Sequence, residues 1–386
     1  MKTLTKGNIA LCEGAIAAGC MAYFGYPITP QNEVPAHMSK RMTDLGRVFL
    51  QAESEIAAIN MVLGASTTGT RVMTSSSSPG ISLKQEGISY IAACELPCLI
   101  VNVQRGGPGL GNISGAQGDY FQTVKGGGHG DYRLLTLAPC SVQEMYDFAI
   151  LAFDLAEIYR TPVMILSDGI VGQMMEPADI PQNPKSRIRP QTDRSWILDG
   201  CKGRAPRSIH SLLMNEFALE KHNIHLQEKY AKIVKNETRA EVGNIEDADT
   251  IIVGYGITGR VAKAAASIAR TKGIKIGFIR PITLWPFPSQ IISKAAKPGR
   301  KFLVVEMNHG QMVEDVRLAV NGICPVEFYG KAGGGIISED AILEKIKPEL
   351  YNRFENRDER DGGSFDAKTT ANGDSIGKGF ADKNVP

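Results

Sequence analysis

The sequence contains no C-x-x-C pair, and its seven cysteines are an odd number scattered along 386 residues. That pattern excludes a disulfide scaffold and fits free thiols in a reducing cytoplasm. Cys94 and Cys98 stand four apart but have Pro97 between them and no second pair or nearby histidine, so no zinc or iron–sulfur site is complete. Any such centre is expected on another polypeptide. No apolar run approaches the roughly 20 residues of a membrane-spanning helix. The charge is close to neutral, 43 basic against 41 acidic residues for a net +2, so neither nucleic acid nor an anionic membrane is an expected partner. Near the start, Lys2 and Lys6 before ALCEGAIAAGC imitate a secretory signal, yet Glu13 would spoil its apolar centre. Ile9, Cys12, Ile16 and Cys20, spaced three or four apart, read instead as one face of an amphipathic helix.

What is present is the composition of a globular protein, 43% hydrophobic and 22% charged, in a chain too long for one ordinary core. Residues 1–185 alternate β-rich runs (FGYPI, RVFLQA, RVMTSS, PCLIVNVQ, YRLLTLA, TPVMILSD) with segments of helical period. Such alternation predicts α/β architecture, a parallel sheet with helices on both faces. Ser141-Val-Gln-Glu144 predicts a capping box opening a helix whose buried face carries Met145, Phe148, Ala152, Leu155 and Tyr159. Residues 186–244 read as a linker and a charged helical segment, 245–350 as a second, smaller α/β domain (TIIVGYG, IKIGFIR, KFLVVEM, PVEFYG), and 351–386 as a polar, flexible tail.

Ligands of open parallel sheets bind beyond the carboxyl ends of the strands. Four expected strands end in unusual loops there. The first leads into Tyr26-Pro27-Ile28-Thr29-Pro30, where two prolines stiffen the backbone on either side of one hydroxyl. The second leads into Ala52-Glu53-Ser54-Glu55 at a helix start, where the acids serve a ligand or simply the helix dipole. The third gives TSSSSPG, residues 74–80, and the fourth QRGGPGLG, residues 104–111, in which Arg105 offers a fork for a carboxylate and the glycines admit close approach. His129, in KGGGHGD, is a further acid or base candidate without an evident partner.

These strings in order, YPITPxxE, SE, TSSSSPG with KQEG, VQRGGPG, AQGDYFQ and KGGGHGDY, resemble the α subunit of 2-oxoacid:ferredoxin oxidoreductases, closest to the branched-chain (2-oxoisovalerate) type rather than the 2-oxoglutarate type. The likeness runs through residues 7–178 and continues into RPITLWPFP and VVEMNHGQM. It implies a pyrimidine-binding domain for thiamine diphosphate followed by a transketolase C-terminal-like domain. By the resemblance, Glu55 meets the aminopyrimidine ring nitrogen, Pro27 lines its pocket, Thr29 hydrogen-bonds the substrate and Arg105 binds the substrate carboxylate. It further implies oxidative decarboxylation of a 2-oxoacid with coenzyme A, electrons passing to iron–sulfur clusters on partner subunits and to ferredoxin.

Thiamine enzymes hold magnesium and diphosphate with a GDG segment, and this sequence has none; SDG at 167–169 and LDG at 198–200 lack the first glycine. The resemblance therefore places that half of the cofactor site on a β subunit, with γ and ferredoxin-like subunits as further partners. Two other readings remain. Gly254-Tyr-Gly256-Ile-Thr-Gly259 matches the dinucleotide fingerprint, but the next strand ends in Arg280 instead of an acid, which would leave only an NADP-binding dehydrogenase. A non-catalytic assembly subunit is the other, although packing alone needs neither Thr29, Glu55 nor Arg105.

Overall fold

The computed structural model describes residues 2–181 and 193–347. The first part of the chain runs β1 (Thr3–Lys6), α1 (Gly7–Ala17), β2 (Ala22–Gly25), α2 (Glu33–Asp44), β3 (Val48–Gln51), α3 (Glu55–Ser66), β4 (Val72–Ser76), α4 (Ser78–Ala93), β5 (Cys98–Gln104), α5 (Tyr120–Val124), β6 (Leu135–Leu137), α6 (Val142–Tyr159), β7 (Pro162–Asp168), α7 (Gly169–Gln173) and β8 (Met175–Ala178). The rest follows as α8 (Glu216–Glu237), β9 (Ala240–Gly243), β10 (Thr250–Val253), α9 (Gly256–Thr271), β11 (Ile276–Pro281), β12 (Thr283–Trp285), α10 (Ser289–Ala295), β13 (Lys301–Glu306), α11 (Met312–Val320), β14 (Val326–Gly330) and α12 (Glu339–Ile346).

A seven-stranded sheet has the order β12-β6-β7-β5-β4-β2-β3, parallel except where β12 meets β6. Every residue of β4, β5 and β7 is buried, as expected of strands with helices on both faces. Along β5 the alternation sends Leu99, Val101 and Val103 into one core and Cys98 and Ile100 into the other. The second sheet, β14-β13-β10-β11-β9, is parallel apart from β9. Strand β12 comes from the latter half of the chain yet completes the sheet of the first half. No helix among the described residues is long and apolar enough to cross a membrane.

Three local expectations are corrected. The FGYPI strand ends at Gly25, paired with Gln51 of β3, because Pro27 has no N–H to continue the ladder. Helix α1 is not amphipathic: it stops before Cys20 and is buried on nearly every side, packed on α6 with Gly14 against the Tyr146 carbonyl. Its one acid, Glu13, is held by His37 at 2.7 Å and Arg41 at 2.8 Å. At α6, Ser141 accepts from the Glu144 N–H, but the Glu144 carboxylate turns to the Cys140 N–H and to Arg280 instead of closing the box on Ser141. Of the expected linker, residues 182–192 lie outside the described residues; α8 beyond it buries Leu226, Tyr230 and Ile233. The expected tail, 351–386, also lies outside them.

The two sheets are joined by a polar seam. Gln117 is fully buried; its Nε2 donates to the Tyr255 carbonyl (2.8 Å), and its Oε1 accepts from Met307 N (3.0 Å) and Thr258 Oγ1 (3.1 Å). Its own carbonyl accepts from Asn308 Nδ2 at 2.7 Å. Glu306, at the end of β13, accepts from the N–H groups of Gln311, Met312 and Val313 and so caps α11, although burial pushes its carboxyl pKa upward. Gln311 then bonds Phe121 N and Gly118 O. Arg280, nearly sealed, forks onto Glu144 at 2.7 and 2.9 Å and reaches Glu241 at 2.8 Å. Gln117→Ala orphans Met307 N, while Thr258 Oγ1 and Tyr255 O still bond each other, at about 1–3 kcal/mol for the buried N–H if water does not rescue it. We expect a loss of about 1–3 kcal/mol in chemical denaturation, and an unchanged midpoint would contradict the seam's importance.

Candidate functional site

The carboxyl ends of β2, β3, β4 and β5 gather the four loops on one edge. At β3, Ser54 caps α3 by accepting from Ala57 N at 3.2 Å, which places Glu55 in the first turn. Of the two acids, Glu53 is exposed whereas Glu55 is buried, 5% accessible. No hydrogen bond to the Glu55 carboxylate forms among the described residues. Instead Glu55 Oε1 lies against Gly80 in α4, where a Cβ would stand 2.5 Å from that oxygen and 2.0 Å from Ser76 Oγ.

The serine run divides by strand alternation. Thr74 accepts from Lys84 Nζ at 3.0 Å. Ser75, on the opposite face, takes a bond from Tyr23 Oη (2.7 Å) and donates to Gln31 Oε1 (2.6 Å), whose Nε2 donates to the Tyr26 carbonyl. That chain ties the proline ledge to β4. Ser76 and Ser77 are fully buried with no partner for either hydroxyl. Ser78 donates to Asp119 Oδ2 at 2.6 Å and accepts from Arg105 N at 3.0 Å, while Asn102 donates to the same aspartate at 2.9 Å. Burial pushes the Asp119 carboxyl above its usual range despite these donors.

Thr29 and Arg105 are brought together. Arg105 Nη1 donates to the Thr29 carbonyl at 3.0 Å and Nη2 to the Leu110 carbonyl at 2.9 Å, and Nε is buried without a partner. Two of the five guanidinium N–H donors are thus used by backbone, leaving three. The Thr29 hydroxyl accepts from Asn32 Nδ2 at 3.0 Å, and Pro27 is exposed. The Arg105 loop folds back so tightly that a Cβ on Gly111, at φ +57°, would lie 1.6 Å from the Gly106 carbonyl oxygen. Asn112 Nδ2 braces the loop on the Gly333 carbonyl at 2.8 Å. His129 does not join this cluster: its loop packs farther along α4, with Gly127 and Gly128 against Gln85, and the imidazole is exposed.

Sequence reasoning missed Lys84, Gln117 and Asp119 as individuals. Lys84 had a signal: it falls on the stripe Ile81, Lys84, Ile88, Ile91, where a charge contradicts the helical apolar pattern. Gln117 had none, since all its side-chain partners lie more than 130 residues away.

The fingerprint glycines Gly254, Gly256 and Gly259 face other groups of this chain. The N-terminus of α9 is taken by Asp168, whose Oδ2 accepts from Ile257 N at 3.1 Å while Oδ1 caps α7 through Ile170 and Val171. Burial raises the Asp168 pKa to about 6. A Cβ on Gly256 would stand 3.0 Å from Asp168 Oδ2, and one on Gly259 2.6 Å from Arg280 Cγ. The glycines let the acid at the end of β7 and the arginine of β11 approach, and these occupy the turn where a pyrophosphate would lie.

A mostly parallel sheet presenting a buried acid at a strand exit, joined to a smaller, mostly parallel sheet, defines an α/β protein with its candidate site at the sheet edge. Residues 13–240 match the thiamine diphosphate-binding family of pyruvate flavodoxin/ferredoxin oxidoreductases, and residues 248–342 match the pyruvate:ferredoxin oxidoreductase core domain II. The chain is 51% identical over 344 residues to the ketoisovalerate oxidoreductase subunit VorB of Methanothermobacter thermautotrophicus, covering 89% of this chain and 97% of that protein. It is 39% identical to the 2-oxoglutarate synthase subunit KorA of Methanothermobacter marburgensis, covering 88% and 97%. Among solved structures, 2-oxoglutarate:ferredoxin oxidoreductase from Magnetococcus marinus, with 2-oxoglutarate, coenzyme A and succinyl-CoA bound, superposes with TM-score 0.80 at 28% identity, over 90% of this chain and 65% of that one. A split-gene transketolase, TM-score 0.53 at 13% identity over 89% and 98% of the two chains, shares the fold. The chain belongs to the pyruvate flavodoxin/ferredoxin oxidoreductase family. It is accordingly an oxidoreductase polypeptide of thiamine diphosphate chemistry, related to proteins named as subunits of larger enzymes.

Because Gly80 leaves no room beside the Glu55 carboxylate, Gly80→Ala should overpack the site and destabilise the chain by about 1–3 kcal/mol. Thermal unfolding of the purified chain checks this; an unshifted transition would mean that the α3–α4 contact yields easily.

Proposed function

We propose that this chain is the α subunit of a coenzyme A-acylating 2-oxoacid:ferredoxin oxidoreductase working in the cytoplasm, and that its sheet edge holds the pyrimidine side of thiamine diphosphate and the head of the substrate. The observation that carries the reading is Glu55: a buried carboxylate with no hydrogen bond among the described residues, close to Ser76, whose buried hydroxyl likewise lacks a partner there. Such unmet polar capacity is unfavourable in a finished fold and suits a polar ring completing the site. The donor set fits the pyrimidine half of the cofactor. Magnesium and diphosphate contacts are assigned to a β subunit, since GDG is absent here, and iron–sulfur clusters to further γ and ferredoxin-like subunits.

When bound, thiamine diphosphate supplies the electron sink that lets a 2-oxoacid lose carbon dioxide. Glu55, buried against Gly80, would be the residue that faces the aminopyrimidine nitrogen and exchanges a hydrogen bond with it. Thr29 offers its hydroxyl to the substrate's keto or carboxylate oxygen from a ledge that proline rings and the Gln31–Ser75–Tyr23 chain keep from drifting. The free N–H groups of Arg105 bind the substrate carboxylate, already aimed by the Thr29 and Leu110 carbonyls. Pro27, exposed at the open edge, lines the ring pocket. A branched aliphatic 2-oxoacid is favoured over 2-oxoglutarate by 51% against 39% identity to relatives so named. The purely structural alternative leaves these polar groups without a purpose.

Glu55→Gln, reconstituted with its partner subunits, should reduce 2-oxoacid-dependent viologen reduction by about 10²–10⁴-fold while circular dichroism shows an intact fold; full turnover would remove the assignment. Arg105→Ala should raise KM for 2-oxoisovalerate at least about tenfold, the loss of one charge-assisted bond, with thiamine affinity little changed. An unaltered KM, or a preference for 2-oxoglutarate in the parent complex, would count against the carboxylate site or the substrate class respectively.

A further inference from the structure

Glu33, the acid of the YPITPxxE string, opens α2 shortly after Thr29, and its carboxylate gathers side chains from three other elements. Oε1 accepts from Lys6 Nζ, at the end of β1, at 2.8 Å. Oε2 accepts from Asn8 Nδ2 of α1 at 3.2 Å and from Gln173 Nε2 of α7 at 2.7 Å. Lys6 Nζ also donates to Gln173 Oε1 at 3.1 Å, which closes the cluster. Burial works against the charge, but hydrogen bonds led by that from Lys6 hold the Glu33 carboxyl below its ordinary value, so at neutral pH it is an acceptor only.

Both amides spend their other N–H on one atom. The Pro30 carbonyl oxygen accepts from Asn8 Nδ2 at 3.0 Å and from Gln173 Nε2 at 2.6 Å, which fills its two lone pairs. Either amide could turn its oxygen inward instead, and an acceptor-only carboxylate beside it selects the nitrogen end. Asn8 has no accessible surface, and the choice leaves its Oδ1 without a partner among the described residues. Gly172 lies so close that a Cβ there would stand 2.6 Å from that oxygen. A bare buried oxygen is unfavourable, so the orientation is dictated by the two acceptors on the other side.

The Pro30 carbonyl lies one peptide past Thr29. The Thr29 carbonyl accepts from Arg105 Nη1 and its hydroxyl from Asn32 Nδ2, each at 3.0 Å. Arg105 thus grips the ledge from the loop after β5, while the two amides grip it from α1 and α7.

Resting on the role proposed for Thr29, we propose that Glu33 is a positioning residue for the substrate: it orients the Asn8 and Gln173 amides onto the Pro30 carbonyl, and through that peptide fixes where the Thr29 hydroxyl stands. Glu33 itself touches no reacting atom. A hydroxyl displaced by about 1 Å no longer meets the substrate oxygen at bonding distance.

Viologen reduction with 2-oxoisovalerate by the reconstituted complex tests this. Glu33→Gln puts a donor where the amides need an acceptor and should lower kcat/KM about three- to tenfold, the worth of one hydrogen bond. Gln173→Ala removes one donor to Pro30 while leaving Glu33 in place, and should lower kcat/KM about threefold; it carries the test if circular dichroism shows Glu33→Gln misfolded. Thr29→Val should lower kcat/KM by itself, and in that background neither change should cost more than about twofold further, because they act through the missing hydroxyl. The same loss with and without the Thr29 hydroxyl would mean that Glu33 merely supports the fold, and would overturn the proposal. So would parent kcat/KM in a folded Glu33→Gln or in Gln173→Ala. Parent kcat/KM in Thr29→Val would place the failure in the reading of Thr29, and the role of Glu33 would fall with it.

Discussion

The fold depends on one buried amide. Gln117 lies between β5 and α5 in the chain, yet its side chain is satisfied by groups that follow β10 and β13, namely Tyr255, Thr258 and Met307. A group with donors and an acceptor in a dry seam tolerates few geometries, because each lost bond leaves a desolvated partner behind. Around it Glu306 caps α11, Asp168 caps α9, and Arg280 clamps Glu144. The seam therefore fixes which way the loop after β5 leaves the sheet, and Arg105 is at the start of that loop.

From this constraint the edge acquires its order. Alternation along β4 parts Ser75 toward the proline ledge from Thr74 and Ser76 on the α4 side. Glycine at 80 lets the Glu55 carboxylate and Ser76 approach the helix, and one turn on the buried Lys84 donates to Thr74. Arg105 has its guanidinium aimed by two carbonyls, so the ledge and the glycine loop are a single unit. Positioning of this kind loses little on binding, since rotamers are already fixed before any ligand arrives.

Much of this was readable beforehand. The six expected strands of the first half all exist, because buried parallel strands demand dense β-branched and aliphatic runs and their exits demand Gly, Pro and Ser. Thr29 and Arg105 were expected on one edge and lie in contact through the Thr29 carbonyl. Errors arose where tertiary packing overrode local pattern. Helix α1 is buried all round, so its spacing carried no face. The dinucleotide fingerprint was real as backbone geometry but misleading as chemistry, since a turn that admits a phosphate admits an aspartate from another domain equally well.

The sequence by itself determined the parallel α/β architecture, the sheet edge at which the four loops gather and the family, since periodicity, turn chemistry and long ordered motifs are all local in the chain. Only the tertiary structure decided which acid is buried, Glu55 and not Glu53, which serines lack partners among the described residues, and that Arg280 and Asp168 bridge elements of the two sheets. The physical reason is that burial and hydrogen-bond satisfaction are properties of what lies across a contact. For Gln117 or Lys84 the groups that give the side chain its meaning stand on other elements, and no spacing along the chain records them.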